Sequence, residues 1–300
     1  TPKPSSGASD VYKRQEIHGP STARELAEIS GLNERYLLEW LSANTSLGYV
    51  SYDPDGELFS LSPEQAAIFA HEGEPTCMQG GFQGIVGEYA QYEKAVDVFR
   101  TGKGRPWGDH HSCLFCGTDR FFKPGYNANL IENWIPSLEG VDGKLKKGGK
   151  AADIGCGFGS STILMAKHYP NSVIHGFDFH EPSIIEARTR AEKDGISNIE
   201  FHVSDASAIP NNGYDLACIF DALHDMGDPV GAAASIRNAL NEDGTFMVVE
   251  PLAEDDLKDN LNLVSGRMYG MSTLVCVPTC LLYTSPSPRD LSTARMPSSA

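Results

Sequence analysis

Apolar positions repeat at two different periods along the chain, and the change of period divides it. Between about Glu16 and Ala70 the pattern predicts helix, helix, hairpin. Thr22-Ala23-Arg24-Glu25 is a capping-box pattern, in which a hydroxyl and a carboxylate three residues apart satisfy each other's backbone N–H groups. It opens a short helix with Leu26 and Ile29 on one face, ended by Ser30-Gly31. Asn33 can cap a second helix, with Tyr36, Leu37, Trp40 and Leu41 at helical spacing. Two β-rich runs, Tyr49–Tyr52 and Glu57–Leu61, flank Asp53-Pro54-Asp55-Gly56, a turn sequence that predicts a hairpin.

That order is the order of a winged helix-turn-helix, assigned to residues 16–75. Residues 76–140 read as a helical connector. The Gly-rich run Gln79–Gly84 leads into a helix around Glu88 to Phe99, a loop covers Thr101 to Asp119, and another helix runs from Asn127 to Ile135. From Lys150 strands and helices alternate. Strands are expected at Ala151–Ile154, Val173–Phe177, Ile199–Val203, Tyr214–Phe220 and Thr245–Val249. Helices are expected at Ser160–Tyr169, Pro182–Lys193 and Pro229–Leu240. Five strands interleaved with helices imply an α/β domain, Rossmann-like, with a doubly wound, mostly parallel sheet. This domain is assigned to residues 141–280.

Charge narrows the function. The formal net charge of −16 disfavours a phosphate backbone as partner. From Glu16 to Ala70 the first domain carries nine acidic residues against Arg24 and Arg35, and its would-be recognition helix holds Glu34 and Glu39. A helix that enters a major groove needs cations toward phosphates and Arg, Lys, Asn or Gln toward bases. Nucleic acid is therefore not expected as a partner. No apolar run approaches the ~20 residues of a membrane helix, so no membrane partner is expected either. Seven irregularly spaced cysteines, such as Cys218 within an apolar strand, read as buried thiols in a reducing, cytoplasmic compartment. The ends differ from the rest: residues 1–15 and 281–300 are rich in Ser and Pro and resemble translated sequencing-adapter read-through. Both are expected to lie outside the fold as non-native tails.

Ligands of parallel α/β sheets bind at the carboxyl ends of the strands. Four successive strand ends here carry an acidic residue: Asp153 before the turn Gly155-Cys156-Gly157-Phe158-Gly159, then Asp178, Asp205 and Asp221. A Gly-rich turn lets backbone approach a ligand closely. The spacing is not the G-x-G-x-x-G of nicotinamide enzymes, and an acidic group beside the turn suits an amine and a sulfonium better than a diphosphate.

With these residues the chain resembles the class I S-adenosylmethionine-dependent methyltransferases. The stretches Gly155–Leu164, Phe177–Ile184, Phe220–Pro229 and Asp259–Asn262 resemble a subfamily that joins an N-terminal winged helix to the methyltransferase domain. The resemblance implies a small-molecule methyl acceptor, a homodimer, and a donor cradle of Gly155, Cys156, Gly157 and Gly159, with Asp153 anchoring the turn near the donor's amine. It further implies Asp178 on both ribose hydroxyls, Phe179 beside the adenine, and Asp205 with Ala206 at the adenine amine. Phe220 and Asp221 would close the methionine side. His224, which follows the fourth strand, is the candidate general base for an acceptor that must lose a proton. A regulator that binds the same donor is the alternative reading. The cluster His110, His111, Cys113 and Cys116 has zinc-compatible residue types but one Cys-x-x-Cys only, and is read as a loop without metal. A class I domain ordinarily ends on two further strands, and these are expected to be absent here. The first helix of the winged domain is also expected to be missing. The chain as written is therefore expected to fold poorly or lack turnover.

Overall fold

The computed structural model describes residues 6–283. In chain order the first half comprises α1 (Ser6–His18), α2 (Ala23–Ser30), α3 (Glu34–Ser46), β1 (Ser51–Asp53), β2 (Leu58–Ser60), α4 (Pro63–Phe69), α5 (Gln79–Tyr89), α6 (Tyr92–Thr101) and α7 (Ser112–Asn129). The second half comprises α8 (Ile135–Ser137), α9 (Val141–Lys146), β3 (Lys150–Ile154), α10 (Ser160–His168), β4 (Val173–Asp178), α11 (Glu181–Lys193), β5 (Ile199–Val203), β6 (Tyr214–Phe220), α12 (Pro229–Ala239), β7 (Leu240–Val249), α13 (Leu263–Leu274) and α14 (Cys276–Tyr283). The chain divides into two compact units. One holds the residues up to Val86 together with Ser112–Ala128, the other Gly87–His111 and everything from Asn129.

In the first unit the expected caps form. Thr22 Oγ1 accepts from the Glu25 N–H at 3.2 Å, and the Glu25 carboxylate accepts from the Thr22 N–H at 2.8 Å. The Asn33 side chain accepts from the N–H groups of Arg35 and Tyr36 at the start of α3. β1 and β2 pair antiparallel, with Tyr52 opposite Phe59. Leu26, Leu37, Leu41, Val50 and Phe59 form the core. Helix α1 belongs to that core, which corrects two expectations. The sequence places residues 1–15 in a tail, of which 1–5 lie outside the described residues, and leaves the winged domain without its first helix. Yet Val11 and Tyr12 are buried, and the Tyr12 ring packs 4.9 Å from Phe69 and 5.0 Å from Trp40. Two apolar residues among Ser, Lys, Arg and Gln are too short a signal to read as a helix face.

The Gly-rich run is also helical. It forms the start of α5, where a Cβ on Gly80 would lie 2.3 Å from the backbone nitrogen of Phe121. A Cβ on Gly117 would likewise lie 2.4 Å from the nitrogen of Gly84. The glycines let α5 and α7 touch backbone to backbone, so tertiary contact outweighs their low helix propensity. The loop expected over Thr101–Asp119 is correspondingly shorter, because α7 starts at Ser112.

In the second unit a five-stranded sheet runs in the order β5-β4-β3-β6-β7, parallel at every pairing. The chain leaves β3 toward β4 on one side and returns to β6 on the other, so the order reverses at β3. The carboxyl end of β3 is the topological switch point. β3 is buried from Ala151 to Ile154, as a central parallel strand covered by helices on both faces must be. The five expected strands and three expected helices are present. The largest shift is in β7, which begins at Leu240 because a register irregularity between Tyr214 and Leu216 accommodates the Asn241–Gly244 turn residues. Among the described residues the sheet has five strands, with β5 and β7 at its two edges. Helices α13 and α14 follow. Residues 281–283, expected to lie in a tail, close α14, and the remainder of that tail lies outside the described residues.

Candidate active site

The turn from β3 into α10 takes three left-handed residues in five, with φ of 72° at Gly155, 52° at Gly157 and 76° at Gly159. Two of these glycines are also required by space. A Cβ on Gly155 would lie 2.9 Å from that of Ala222, and one on Gly159 would lie 2.7 Å from the Phe201 ring. The backbone carbonyl of Phe177 at the end of β4 accepts from the N–H groups of Gly155 and Cys156, at 2.8 and 3.0 Å. Asp153 is buried, and its Oδ2 accepts from the hydroxyls of Ser161 and Thr162 at 2.6 and 2.7 Å. Burial pushes its carboxyl up to about 6 against the pull of those two hydroxyls. Asp153 thus ties the turn to the first turn of α10.

Asp178 closes the other side of the turn. It is buried at the end of β4, where Oδ2 accepts from the Gly157 N–H at 2.9 Å and Oδ1 from the His180 N–H at 2.8 Å. Burial raises its pKa, and those two N–H groups hold it partly back. Phe179, next in the chain, is 48% exposed. Asp205 is exposed beyond β5, and its Oδ1 accepts from the Ser207 N–H and hydroxyl at 2.8 and 2.6 Å, capping the single helical turn that Ala206 begins. Phe220 is buried at the end of β6 with its ring 6.0 Å from Trp134.

Asp221 has φ of 51°, a left-handed conformation that a non-glycine residue adopts at a cost of about 1–2 kcal/mol. Its N–H donates to the carbonyl of Val249 at 2.8 Å, which holds the strained residue in place. Burial pushes its carboxyl up to about 7, His224 opposes, and the neighbouring Glu250 and Asp225 add to the rise.

His224 lies just beyond, on a helical turn spanning Leu223–Asp225. Its Nδ1 is hydrogen-bonded to Glu250, whose other oxygen accepts from the Leu223 N–H at 2.8 Å. Burial alone would lower the His224 pKa, but the hydrogen bonds to Cys276 and Glu250 and the charges of Asp225 and Glu250 push it up to about 11. At neutral pH the ring is an imidazolium and presents a donor, not the lone pair a general base requires. Glu250 went unnoticed in the sequence, although the rule that singled out four strand ends applies to a fifth. It follows Val249, the last residue of β7.

The His110–Cys116 stretch is divided between the two units. His110 is buried with Nδ1 2.9 Å from Glu88, which also lies 3.6 Å from Arg105, while Cys113 and Cys116 belong to α7 in the other unit. Among the described residues the groups of ligating atoms close enough to share a cation lie elsewhere.

Residues 145–279 match the family model of a methyltransferase domain. This part of the chain is similar to methyltransferase domains. Residues 8–71 match an Rv2258c-like winged helix-turn-helix model, which includes the helix α1 that the sequence reading had set aside. A sterol 24-C-methyltransferase of Gibberella zeae is 29% identical over 175 residues, covering 57% of this chain and 43% of its own length. The chain spans less than half the length of such curated relatives. Among solved structures, an O-methyltransferase family protein from Burkholderia thailandensis superposes with TM-score 0.65 at 12% identity, over 96% of this chain and 86% of its own. Human N-acetylserotonin methyltransferase in complex with S-adenosylmethionine superposes with TM-score 0.60 at 18% identity, over 90% and 80%. These likenesses establish the fold, an α/β domain on a parallel five-stranded sheet with an N-terminal winged helix. No helix among the described residues is long and apolar enough to cross a membrane.

Proposed function

We propose that the chain binds S-adenosylmethionine at the switch point of the second unit and transfers its methyl group to a small-molecule nucleophile. One observation carries this reading. Asp178 is buried beside the left-handed glycine turn with both oxygens directed to that turn and its own strand end. A buried carboxylate at the second strand end can take two ribose hydroxyls, and an open backbone turn at the first can take the amino-acid end of the donor. Asp221 and Glu250 supply negative charge suited to a sulfonium rather than to a diphosphate. Gly155, Cys156, Gly157 and Gly159 cradle the donor in this reading. Phe179 and Ala206 flank the adenine, with the free oxygen of Asp205 at its amine, and Phe220 and Asp221 close the methionine side.

Methyl transfer needs little covalent help, because the sulfonium is already activated. Holding the acceptor in line with the S–CH₃ bond can remove about 7–11 kcal/mol of barrier. The role of His224 is thereby revised: the acceptor gives its proton to solvent, and the imidazolium holds the resulting anionic heteroatom through Nε2–H. The O-methyltransferase neighbours favour a hydroxyl as that acceptor. A cytoplasmic homodimer fits the same reading. A transcriptional regulator is disfavoured by α3, whose Arg35 is paired with Glu39 at 2.5 Å. Calorimetric titration with S-adenosylmethionine and with NAD tests the proposal: one-to-one binding of the first alone is expected. Binding of NAD, or of neither, sinks it.

A further inference from the structure

Cys276 opens α14, and nothing in the methyl transfer described above uses it. Its Sγ lies 3.6 Å from His224 Nε2, and an oxygen of Asp225, Oδ1, lies 3.3 Å from the same nitrogen. The three ligating atoms are all within 4.8 Å of one another. Ligands held tetrahedrally at zinc distances of about 2.0–2.3 Å stand roughly 3.3–3.6 Å apart. The two separations from Nε2 fall in that range.

We propose that His224 Nε2, Asp225 Oδ1 and Cys276 Sγ form a three-ligand site for a divalent cation of the zinc type, with Glu250 fixing the histidine in its ligating tautomer. Two further observations point the same way. Asp225 Oδ1 is a buried oxygen whose neighbours are His224 Nε2 at 3.3 Å and the Cys276 thiol, so once those two groups give up their protons a cation is the partner left to it. And the Glu250 carboxylate can only accept, so Nδ1 carries the proton and Nε2 is the atom left to coordinate. This carboxylate–histidine–metal relay is how most zinc histidines are oriented. Glu250 is itself held by the Leu223 N–H at 2.8 Å.

The donor set of one nitrogen, one carboxylate oxygen and one thiolate favours Zn²⁺ over Mg²⁺ or Ca²⁺, which prefer all-oxygen shells. Three protein ligands leave a fourth position open, the arrangement of catalytic rather than structural zinc. A hydroxyl or thiol is the group that position would take, so the site deepens the reading of this pocket as the acceptor end. On binding, the imidazolium and the thiol each release one proton to solvent. A proton and a cation therefore compete for Nε2, and zinc occupancy would replace the imidazolium in holding an acceptor anion.

Titration of metal-stripped full chain with Co²⁺, without methyl donor, tests this. One cobalt per chain is expected, with a sulfur-to-cobalt charge-transfer band that added Zn²⁺ abolishes. Cys276→Ser should remove the band, and Glu250→Gln should keep it while weakening affinity about 10–100-fold. Cys280→Ser should change nothing. Neither should His202→Ala, which disrupts the separate His175, Glu200 and His202 group. A parent chain without the band, a band that survives Cys276→Ser, or one lost with Cys280→Ser would overturn the proposal. Should Cys276→Ser fail to fold, alkylation of the parent gives the same answer: Co²⁺ should protect Cys276 from iodoacetamide, and equal labelling with and without the ion refutes the site. Donor binding, measured separately, is untouched by a negative result here, so failure of the metal site and failure of the methyltransferase reading are told apart.

Discussion

The two units use the same residue type in opposite ways. In the first, carboxylates sit on exposed helix starts. Glu25 and Glu64 each belong to a capping arrangement whose hydrogen bonds, from Thr22 and Ser62, hold their carboxyls below the usual range. In the second, Asp153, Asp178 and Asp221 stand at the ends of parallel strands, where burial pushes their carboxyls up. Water surrounds the first set, so those groups stabilise helices and do little else. The second set is shielded by helices on both faces of the sheet, which makes its charge expensive in isolation and valuable beside a cationic ligand. Acidic composition is thus shared by both units, and topology decides where it becomes chemistry.

The sharpest way to break this contrast is to remove the cationic side chain that stands beside Asp225 and Glu250 and opposes the rise at Asp221. His224→Ala should lower turnover by about 10²–10³-fold, the range of a lost donor to a developing anion, while leaving the donor's dissociation constant where it was. Single-turnover assays with an acceptor found by screening, run beside donor calorimetry, separate the two effects. Full turnover would return His224 to a structural role.

Next in size is Asp178→Ala. Hydrogen bonds to a charged group contribute about 1.5–3 kcal/mol, so donor affinity should fall by roughly 10–150-fold. The acceptor for the Gly157 and His180 N–H groups is lost as well, so some weakening should persist with a donor analogue that lacks the ribose hydroxyls. Unaltered affinity for S-adenosylmethionine would remove the observation on which the function rests.

Much of this contrast is legible without coordinates, and the parts that are not have a common cause. Strand ends show in the sequence because a parallel sheet sets its period and its polar punctuation together, as at Phe177-Asp178 and Phe220-Asp221. The capping box at Thr22 shows for the same reason: both of its partners lie within one turn. What stays hidden depends on a distant neighbour. Val11 and Tyr12 give no pattern of their own until Trp40 and Phe69 cover them. The helical character of Gly80 and Gly84 appears only with α7 against them. Cys276 gains meaning from His224, 52 residues earlier in the chain, and the raised pKa of that histidine follows from Cys276 and from Glu250 on another strand end. The left-handed turn at Gly155–Gly159 is foreseeable from glycine alone, but not that Phe201 and Ala222 leave no room for a Cβ there.

Titration offers a smaller effect with a definite sign. Asp221 is raised to about 7, so it is largely neutral below that value and ionised above it. An ionised Asp221 attracts the sulfonium of S-adenosylmethionine but has no such partner in the neutral thioether of S-adenosylhomocysteine. Affinity for the first should therefore rise as pH increases through about 7, and affinity for the second should stay nearly flat. If binding lowers the Asp221 pKa by one unit, the gain across the window is about tenfold. Asp221→Asn should abolish the difference between the two ligands. A ratio that does not change with pH in the parent chain would mean that Asp221 does not face the sulfonium.

The smallest effect tests the other half of the contrast. Thr22→Ala removes the hydroxyl that accepts from the Glu25 N–H and donates to the Glu25 carboxylate, leaving that carboxylate only the backbone N–H of residue 22. Loss of a threonine cap costs about 1 kcal/mol, within a usual range of roughly 0.5–2. Thermal melting followed by a probe in the first unit, such as the fluorescence of Trp40, should shift down by a few degrees. Donor affinity should not change, because the residues that make the donor site all lie in the second unit. A donor affinity that falls with the cap would show that the two units are coupled, and that the carboxylates of the first do more than hold helix starts.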